Sequence, residues 1–146
     1  MSRTVALITT LAAGGLVALQ PPANAALAEH VGDLGAALVS ILISTLIIAL
    51  LLLIVGHPGR LSGITAFKPE HALGGIAGAT VVTVSLAAVR PLGAGAVVAL
   101  LVAAQLVVSV AADRFGWLGL HEIGLSTGRV AGLLLVVAGT ILITRT

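Results

Sequence analysis

The stretch "LGAALVSILISTLIIALLLLIVG", residues 34–56, decides the fold class of this chain, because it runs for 23 residues without a charged side chain. A helix needs about 20 mostly apolar residues to cross the hydrocarbon core of a bilayer. Valine and isoleucine favour strands in water, but in lipid each backbone polar group needs an internal partner, which a helix supplies. The stretch therefore predicts a membrane-spanning helix.

The composition of the whole chain extends this prediction. Of its 146 residues, 59% are apolar and 8% are charged, whereas about 25% of a soluble domain is charged. With 2% aromatic residues and a net charge of +2, the chain has neither base-stacking side chains nor a basic patch, which excludes nucleic acid as a partner. It has no cysteine, and its four histidines lack metal-ligand spacing. No nucleophile–base pair is apparent, so we expect neither an enzyme nor a cofactor or metal.

Charged residues divide the chain into five apolar segments, which predict an all-α bundle of five transmembrane helices in a single transmembrane domain, residues 1–146. The segments cover residues 5–27, 34–56, 72–89, 92–112 and 125–143. We expect the third to end at Arg90-Pro91, with Arg90 reaching the lipid headgroups. Residues 57–71 predict a loop with room for one interfacial turn.

The distribution of Lys and Arg predicts an N-terminus inside and a C-terminus outside. The predicted inner segments hold Arg3, Arg60, Lys68, Arg114 and Arg129, and the outer ones hold Arg90 and Arg145. The difference is small, which leaves dual topology open. Because five is odd, the inverted-repeat architecture of many transporters requires an antiparallel dimer, either of this chain or with a paralogue.

The first segment contains an unusual polar motif, "QPPAN", residues 20–24. Pro21 and Pro22 lack N–H groups, which predicts a helix break. Gln20 and Asn24 are four residues apart, so their amides share a face and are candidates for substrate binding or for bonding to a neighbouring helix. The alternative is a signal peptide cleaved after Ala25, since "MSRT", an apolar run and "ANA" fit that pattern as well.

Further polar candidates lie in the other segments. Gln105, Ser109 and Asp113 follow each other at four-residue steps and form one stripe, with Gln105 deep and Asp113 at the membrane edge, where we expect a solvated pair with Arg114. Ser40 and Thr83 are weaker candidates, because hydroxyls also bond to carbonyls of their own helix. No Asp or Glu occupies mid-depth, which argues against a buried acid as proton carrier.

Glycines at four-residue steps predict close helix packing. They are Gly74 and Gly78 in the third segment, and Gly124, Gly128 and Gly132 in or just before the fifth.

Three runs, residues 14–53, 74–120 and 129–143, together resemble the YdcZ-type family of the drug/metabolite transporter (EamA-like) superfamily. The resemblance implies an inner-membrane protein of about five helices, half of a ten-helix transporter, that exports small molecules. The residues that match the family's motif are Gln20, Asn24, Leu27, Ser40, Gly74, Gly75, Gly78 and Gln105. The chain departs from the pattern at Ile41, Ser44 and Ala104, where the family often has Phe, Gly and Gly.

The resemblance implies an exporter in the bacterial inner membrane, and together with the polar residues it predicts a secondary transporter subunit that moves a small uncharged or zwitterionic solute by alternating access. The substrate-binding candidates are Gln20, Asn24, Ser40, Thr83, Gln105 and Ser109. The alternative function is a non-transporting membrane partner that packs with a paralogous chain.

Overall fold

The computed structural model describes residues 2–119 and 121–145, and within them it contains five α-helices and no strand. The helices are α1 (Arg3–Val31), α2 (Asp33–Ile54), α3 (Leu73–Leu92), α4 (Ala94–Phe115) and α5 (Thr127–Thr144). All five are long and apolar enough to cross a membrane. The predicted all-α fold with five spans is therefore confirmed.

Helix α1 corrects the prediction of a break at Pro21 and Pro22. The α-helix is continuous from Arg3 to Val31, with both prolines inside it. The proline ring holds φ near −65°, which is a helical value, so proline removes backbone hydrogen bonds without forcing the chain out of the helix. The helical residues of α1 on both sides of the prolines can keep this segment helical, and prolines are tolerated in membrane helices.

A single residue, Gly32, connects α1 to α2. Its backbone angles are φ 76° and ψ 164°, a region that essentially only glycine occupies. The N–H of Gly32 donates to the carbonyl of Ala28, and its carbonyl accepts from the N–H of Ala36, both at 2.9 Å. The two helices therefore form a tight antiparallel hairpin. Gly93, which precedes α4, adopts nearly the same angles, φ 78° and ψ 153°.

Two connections are more regular than the sequence predicts. The expected loop 57–71 contains two 3₁₀ helices, Pro58–Ala66 and Pro69–Ala72. Helix α3 passes Arg90 and Pro91 and ends at Leu92, three residues beyond the predicted end at residue 89. At this position Pro91 removes only one hydrogen bond of the last turn, which the helix end tolerates.

The chain forms two compact units, Met1–Arg90 and Pro91–Thr146. In the first unit, a small buried cluster consists of Ala28, Ala36, Ala37, Val82 and Leu86. Ala36 and Leu86 are fully buried. An ion pair joins Asp33 in the first turn of α2 to Arg90 in α3 at 3.1 Å. Arg90 therefore has a protein partner, where the sequence predicted lipid headgroups alone.

In the second unit, α4 and α5 are joined by polar contacts as well as apolar ones. The buried Thr140 hydroxyl is within hydrogen-bonding distance of the Ala99 carbonyl of α4, at 3.2 Å, and of the Val136 carbonyl of its own helix, at 2.9 Å. Asp113 forms an ion pair with Arg129 at 3.3 Å. The sequence predicted a solvated pair of Asp113 with its neighbour Arg114, and the structure corrects the partner.

Most large apolar side chains point away from the protein. Leu11 is 80% exposed and Ile54 is 77% exposed, and exposed Leu, Ile and Val residues occur on all five helices. An exposed apolar surface of this extent marks contact with lipid or another protein. The single transmembrane domain over residues 1–146 stays a prediction.

Candidate functional site

A groove of about 480 Å³ lies between α1 and α2 in the first unit. Its wall on α1 consists of Leu16, Val17, Gln20, Asn24 and Leu27, and its wall on α2 of Val39, Ser40, Ile43, Ser44 and Ile47. Three of the six predicted substrate-binding residues, Gln20, Asn24 and Ser40, line this one groove. None of the lining residues carries a charge.

The centre of the groove is a hydrogen bond between the two helices. Asn24 Nδ2 donates to Ser40 Oγ at 3.2 Å. Asn24 is buried, with 8% of its surface exposed, and Ser40 is half-buried. An amide at this depth needs a partner because water is excluded. The bond thus holds both side chains in place on the groove wall.

The hairpin at Gly32 sets which residues face each other. Asn24 lies eight residues before Gly32 and Ser40 lies eight residues after it. One helical turn farther from Gly32 on each side are Gln20 and Ser44, both of which line the groove. One turn nearer are Ala28 and Ala36, both in the buried cluster.

Burial changes along this series of facing pairs. Ala28 and Ala36 are 4% and 0% exposed, whereas Val17 and Ile47, fifteen residues from Gly32, are 61% and 51% exposed. The groove is therefore closed by small side chains at the turn end and open toward the other end. The hydrogen-bonding groups lie between these two ends.

Gln20 and the prolines supply further hydrogen-bonding groups in the groove. Gln20 is half-buried, and among the described residues its amide has no hydrogen-bond partner. Pro21 cannot donate to the carbonyl of Val17, and Val17 is one of the residues that line the groove. Ser44 donates to the Ser40 carbonyl at 3.0 Å and keeps its oxygen lone pairs as acceptors. The groove can therefore both donate and accept hydrogen bonds without any net charge.

The other predicted substrate-binding residues lie elsewhere. Thr83, in α3, is half-buried, and its hydroxyl donates to the carbonyl of Ala79 at 2.9 Å, so it belongs to its own helix and is absent from the groove lining. Gln105 and Ser109 belong to the second unit, where both side chains are exposed. Their convergence with Gln20 and Asn24 stays a prediction.

Among the described residues, the predicted glycine packing is not seen within either compact unit, and packing between subunits stays a prediction. A Cβ atom built at Gly74, Gly78 or Gly132 has no heavy atom within 4 Å, and one built at Gly128 has only Ser126 Oγ at 3.9 Å. Gly124 lies in the connection before α5, so it is not part of a helical ladder. Helix packing needs an opposing surface, which neither compact unit provides at these positions in the described part of the chain.

A second, smaller groove of about 310 Å³ lies between α2 and α3. It is lined by Ile41, Ser44, Thr45, Ile48, Gly75, Gly78, Ala79 and Val82. Ser44 thus lines both grooves. Gly75 and Gly78 have no side chains to fill the groove, and a Cβ atom built at either has no heavy atom within 4 Å.

Sequence reasoning missed the apolar walls of the main groove and the pairing of Asn24 with Ser40. It also missed the ion pairs Asp33–Arg90 and Asp113–Arg129. The signal that identifies the first pairing is present in the sequence: Asn24 and Ser40 are symmetric about Gly32. Using it requires knowing that Gly32 alone forms the turn.

The family comparison covers this site. A family model described as "Putative inner membrane exporter, YdcZ" matches residues 5–142, which include both helices of the hairpin. Neither a curated protein nor a solved structure shows significant similarity to the chain.

Proposed function

The chain belongs to the YdcZ family of multi-pass inner-membrane proteins of the exporter type, and on that basis we propose that it is one subunit of a secondary transporter. Two antiparallel copies, or one copy and a paralogue, enclose the solute pathway and alternate between inward-open and outward-open states. The groove between α1 and α2 supplies the solute-binding wall. The N-terminus lies inside and the C-terminus outside.

The observation that carries this proposal is the hydrogen-bonded pair Asn24–Ser40, with Gln20 one turn away, on the wall of an otherwise apolar groove. A polar side chain in a membrane protein raises the free energy unless it forms hydrogen bonds. Amides and hydroxyls that a neighbour holds in place are preorganised to bind a solute. A groove without charge fits an uncharged or zwitterionic solute that is held by hydrogen bonds. Its apolar walls fit the carbon skeleton of such a solute.

Gln105 completes the proposed pathway from another part of the assembly. In the single chain this deep polar side chain is exposed. A glutamine amide facing hydrocarbon lacks hydrogen-bond partners, so a water-filled pathway is a better environment for it. Thr83 and Ser109 are weaker members of the same proposed lining.

The experiment is solute flux in vesicles reconstituted with the full chain, first as a screen of uncharged and zwitterionic solutes with and without a proton gradient. With the transported solute identified, Gln105→Ala is expected to abolish flux while membrane insertion and dimerisation remain intact, because the side chain is exposed and forms no hydrogen bond with the described residues. Thr9→Ala is the control, since the exposed Thr9 hydroxyl bonds to the Val5 and Ala6 carbonyls of its own helix and lines neither groove. Full flux in Gln105→Ala would remove Gln105 from the pathway.

A non-transporting partner subunit is the second candidate function. The open space at Gly75 and Gly78 favours it, because a helix of another chain could approach closely there. The two candidates differ in the effect of Asn24→Ala and Gln20→Ala on flux measured with a paralogous chain present. A non-transporting partner subunit leaves that flux unchanged in both variants, whereas a transporting subunit loses flux in both.

A further inference from the structure

The longest connection of the chain, between α2 and α3, has a regular pattern that the transport proposal does not use. Residues 58–66 form a 3₁₀ helix of nine residues, although such helices rarely exceed three or four residues. A 3₁₀ helix has three residues per turn, so every third residue falls on the same stripe. At about 2 Å per residue, this one is about 18 Å long.

The sequence of the connection repeats with this period of three. One stripe is apolar, with Pro58, Leu61 and Ile64, and Phe67 continues it because its N–H still donates to the Ile64 carbonyl at 2.9 Å. The next stripe is polar: Gly59, Ser62, Thr65 and Lys68. The third consists of Arg60, Gly63 and Ala66. A period of 3.6 would scatter these groups, so the pattern is matched to the 3₁₀ geometry.

The apolar stripe is uncovered in the protein. Leu61, Ile64 and Phe67 are 55%, 68% and 54% exposed. The Phe67 ring is held in place by an edge-on contact with the His71 ring, with centroids 5.7 Å apart. Exposed aromatic and aliphatic side chains on one face of a short helix are typical of segments that lie in a membrane interface.

We infer that this segment docks on the surface of the membrane that the chain itself spans, with its apolar stripe at the boundary between headgroups and acyl chains and its basic residues on anionic headgroups. The short connections to α2 and α3 keep the segment close to the membrane surface. Only three residues, 55–57, separate the end of α2 from Pro58, and α3 begins directly after the second 3₁₀ helix at Leu73. Three connecting residues span at most about 14 Å between flanking residues, so the segment begins near the membrane surface.

The charges of the connection complement an anionic surface. Arg60 and Lys68 are basic, and Glu70 is the one acid of the connection, 3.8 Å from Lys68. Basic residues beside a membrane helix are attracted to anionic lipids. The inference concerns lipid and not solute, so it stands or falls independently of the proposed transport.

The test is fluorescence of the full chain in vesicles of phosphatidylcholine and phosphatidylglycerol, with one environment-sensitive probe on an introduced cysteine, since the chain has none. Ile64→Cys places the probe on the apolar stripe, and Thr65→Cys, the next residue, is the matched control on the polar stripe. Compared with the Thr65→Cys probe, the Ile64→Cys probe is expected to be quenched several-fold more by nitroxide lipids and several-fold less by iodide. Leu61→Cys and Ser62→Cys provide a second pair.

Two outcomes overturn the inference. If both probes of a pair are quenched equally by iodide and not by lipid, the segment stands in water. If the Ile64→Cys probe is shielded from both quenchers, another protein surface covers the stripe. The headgroup contact is tested by Arg60→Gln combined with Lys68→Gln, which is expected to weaken lipid quenching with phosphatidylglycerol present but not in phosphatidylcholine alone. Unchanged quenching in both vesicles would overturn the role of the basic residues.

Discussion

Asn24 donates a hydrogen bond to Ser40 across the groove at 3.2 Å, and the two residues lie at equal distances along the chain from Gly32. The position of the turn therefore determines that these two polar residues pair. Because Gly32 is the only connecting residue, its backbone angles determine the register of α1 against α2. That register brings Gln20, Asn24, Ser40 and Ser44 to the same groove.

Gly32→Ala is expected to destabilise the protein. Its φ of 76° and ψ of 164° are strained for any residue with a Cβ, which costs about 1–3 kcal/mol. Space is not the cause, since a Cβ there has no heavy atom within 4 Å. Gly59→Ala is the control, because its Cβ also meets open space and its φ is not left-handed. The measurement is unfolding in mixed micelles followed by circular dichroism, and equal stability of the two variants would contradict the prediction.

The two partners of the central hydrogen bond are expected to differ when each is replaced. Ser40→Ala leaves the buried Asn24 amide without its acceptor, at a cost of about 1–3 kcal/mol in unfolding free energy. Asn24→Ala leaves only a half-buried hydroxyl, which can turn to a carbonyl of its own helix, so the cost is about 0.5–1.5 kcal/mol. Solute flux is expected to fall at least tenfold in Asn24→Ala, which loses the amide itself.

Stability and flux of these two variants are measured on the same preparations, with Thr9→Ala, whose hydroxyl bonds within α1, as the control. A larger loss of stability in Asn24→Ala than in Ser40→Ala would contradict the assigned roles. Wild-type flux in Asn24→Ala would exclude its amide from solute binding.

Pro21→Ala is expected to raise stability and lower transport. The new N–H can bond to the Val17 carbonyl, and a proline inside a helix costs about 3 kcal/mol in soluble proteins, which is the upper limit of the gain. The same bond occupies the carbonyl of Val17, a residue that lines the groove, and stiffens α1. Pro69→Ala is the control, since Pro69 begins a 3₁₀ helix, where a missing N–H is tolerated. Thermal unfolding and flux measure both effects, and a less stable Pro21→Ala protein would refute this prediction.

The two interhelical ion pairs are expected to differ in strength. The side chains of Asp33 and Arg90 are 39% and 49% exposed, so Asp33→Asn is expected to cost less than about 1 kcal/mol, and less still at high salt. Asp113 and Arg129 are 29% and 35% exposed, and Arg129 Nη1 is buried without a partner among the described residues. Asp113→Asn therefore leaves a partly buried charge unpaired and is expected to cost more. Unfolding of both variants at low and high salt tests this order, which a larger effect of Asp33→Asn would reverse.

How far the sequence predicts the site depends on the residue. Gln20 and Asn24 are identifiable because two amides and two prolines stand out in an uncharged run. Ser40 is recognisable through the family resemblance, but its pairing with Asn24 is not. Thr83 lies on α3, outside the groove lining, and its hydroxyl donates to the carbonyl four residues back, a contact that spacing alone cannot exclude. Its role in substrate binding stays a prediction.

The sequence by itself determined that this protein is a bundle of apolar helices, where those helices lie, and which few side chains in them can form hydrogen bonds. Lipid imposes this locally, since any apolar segment of sufficient length must satisfy its own backbone, whatever its neighbours are. Only the tertiary structure decided which polar groups meet: Asn24 with Ser40, Asp33 with Arg90, and Asp113 with Arg129. Those contacts depend on turn angles and on the rotation of one helix against another, and hydropathy along a single segment contains neither.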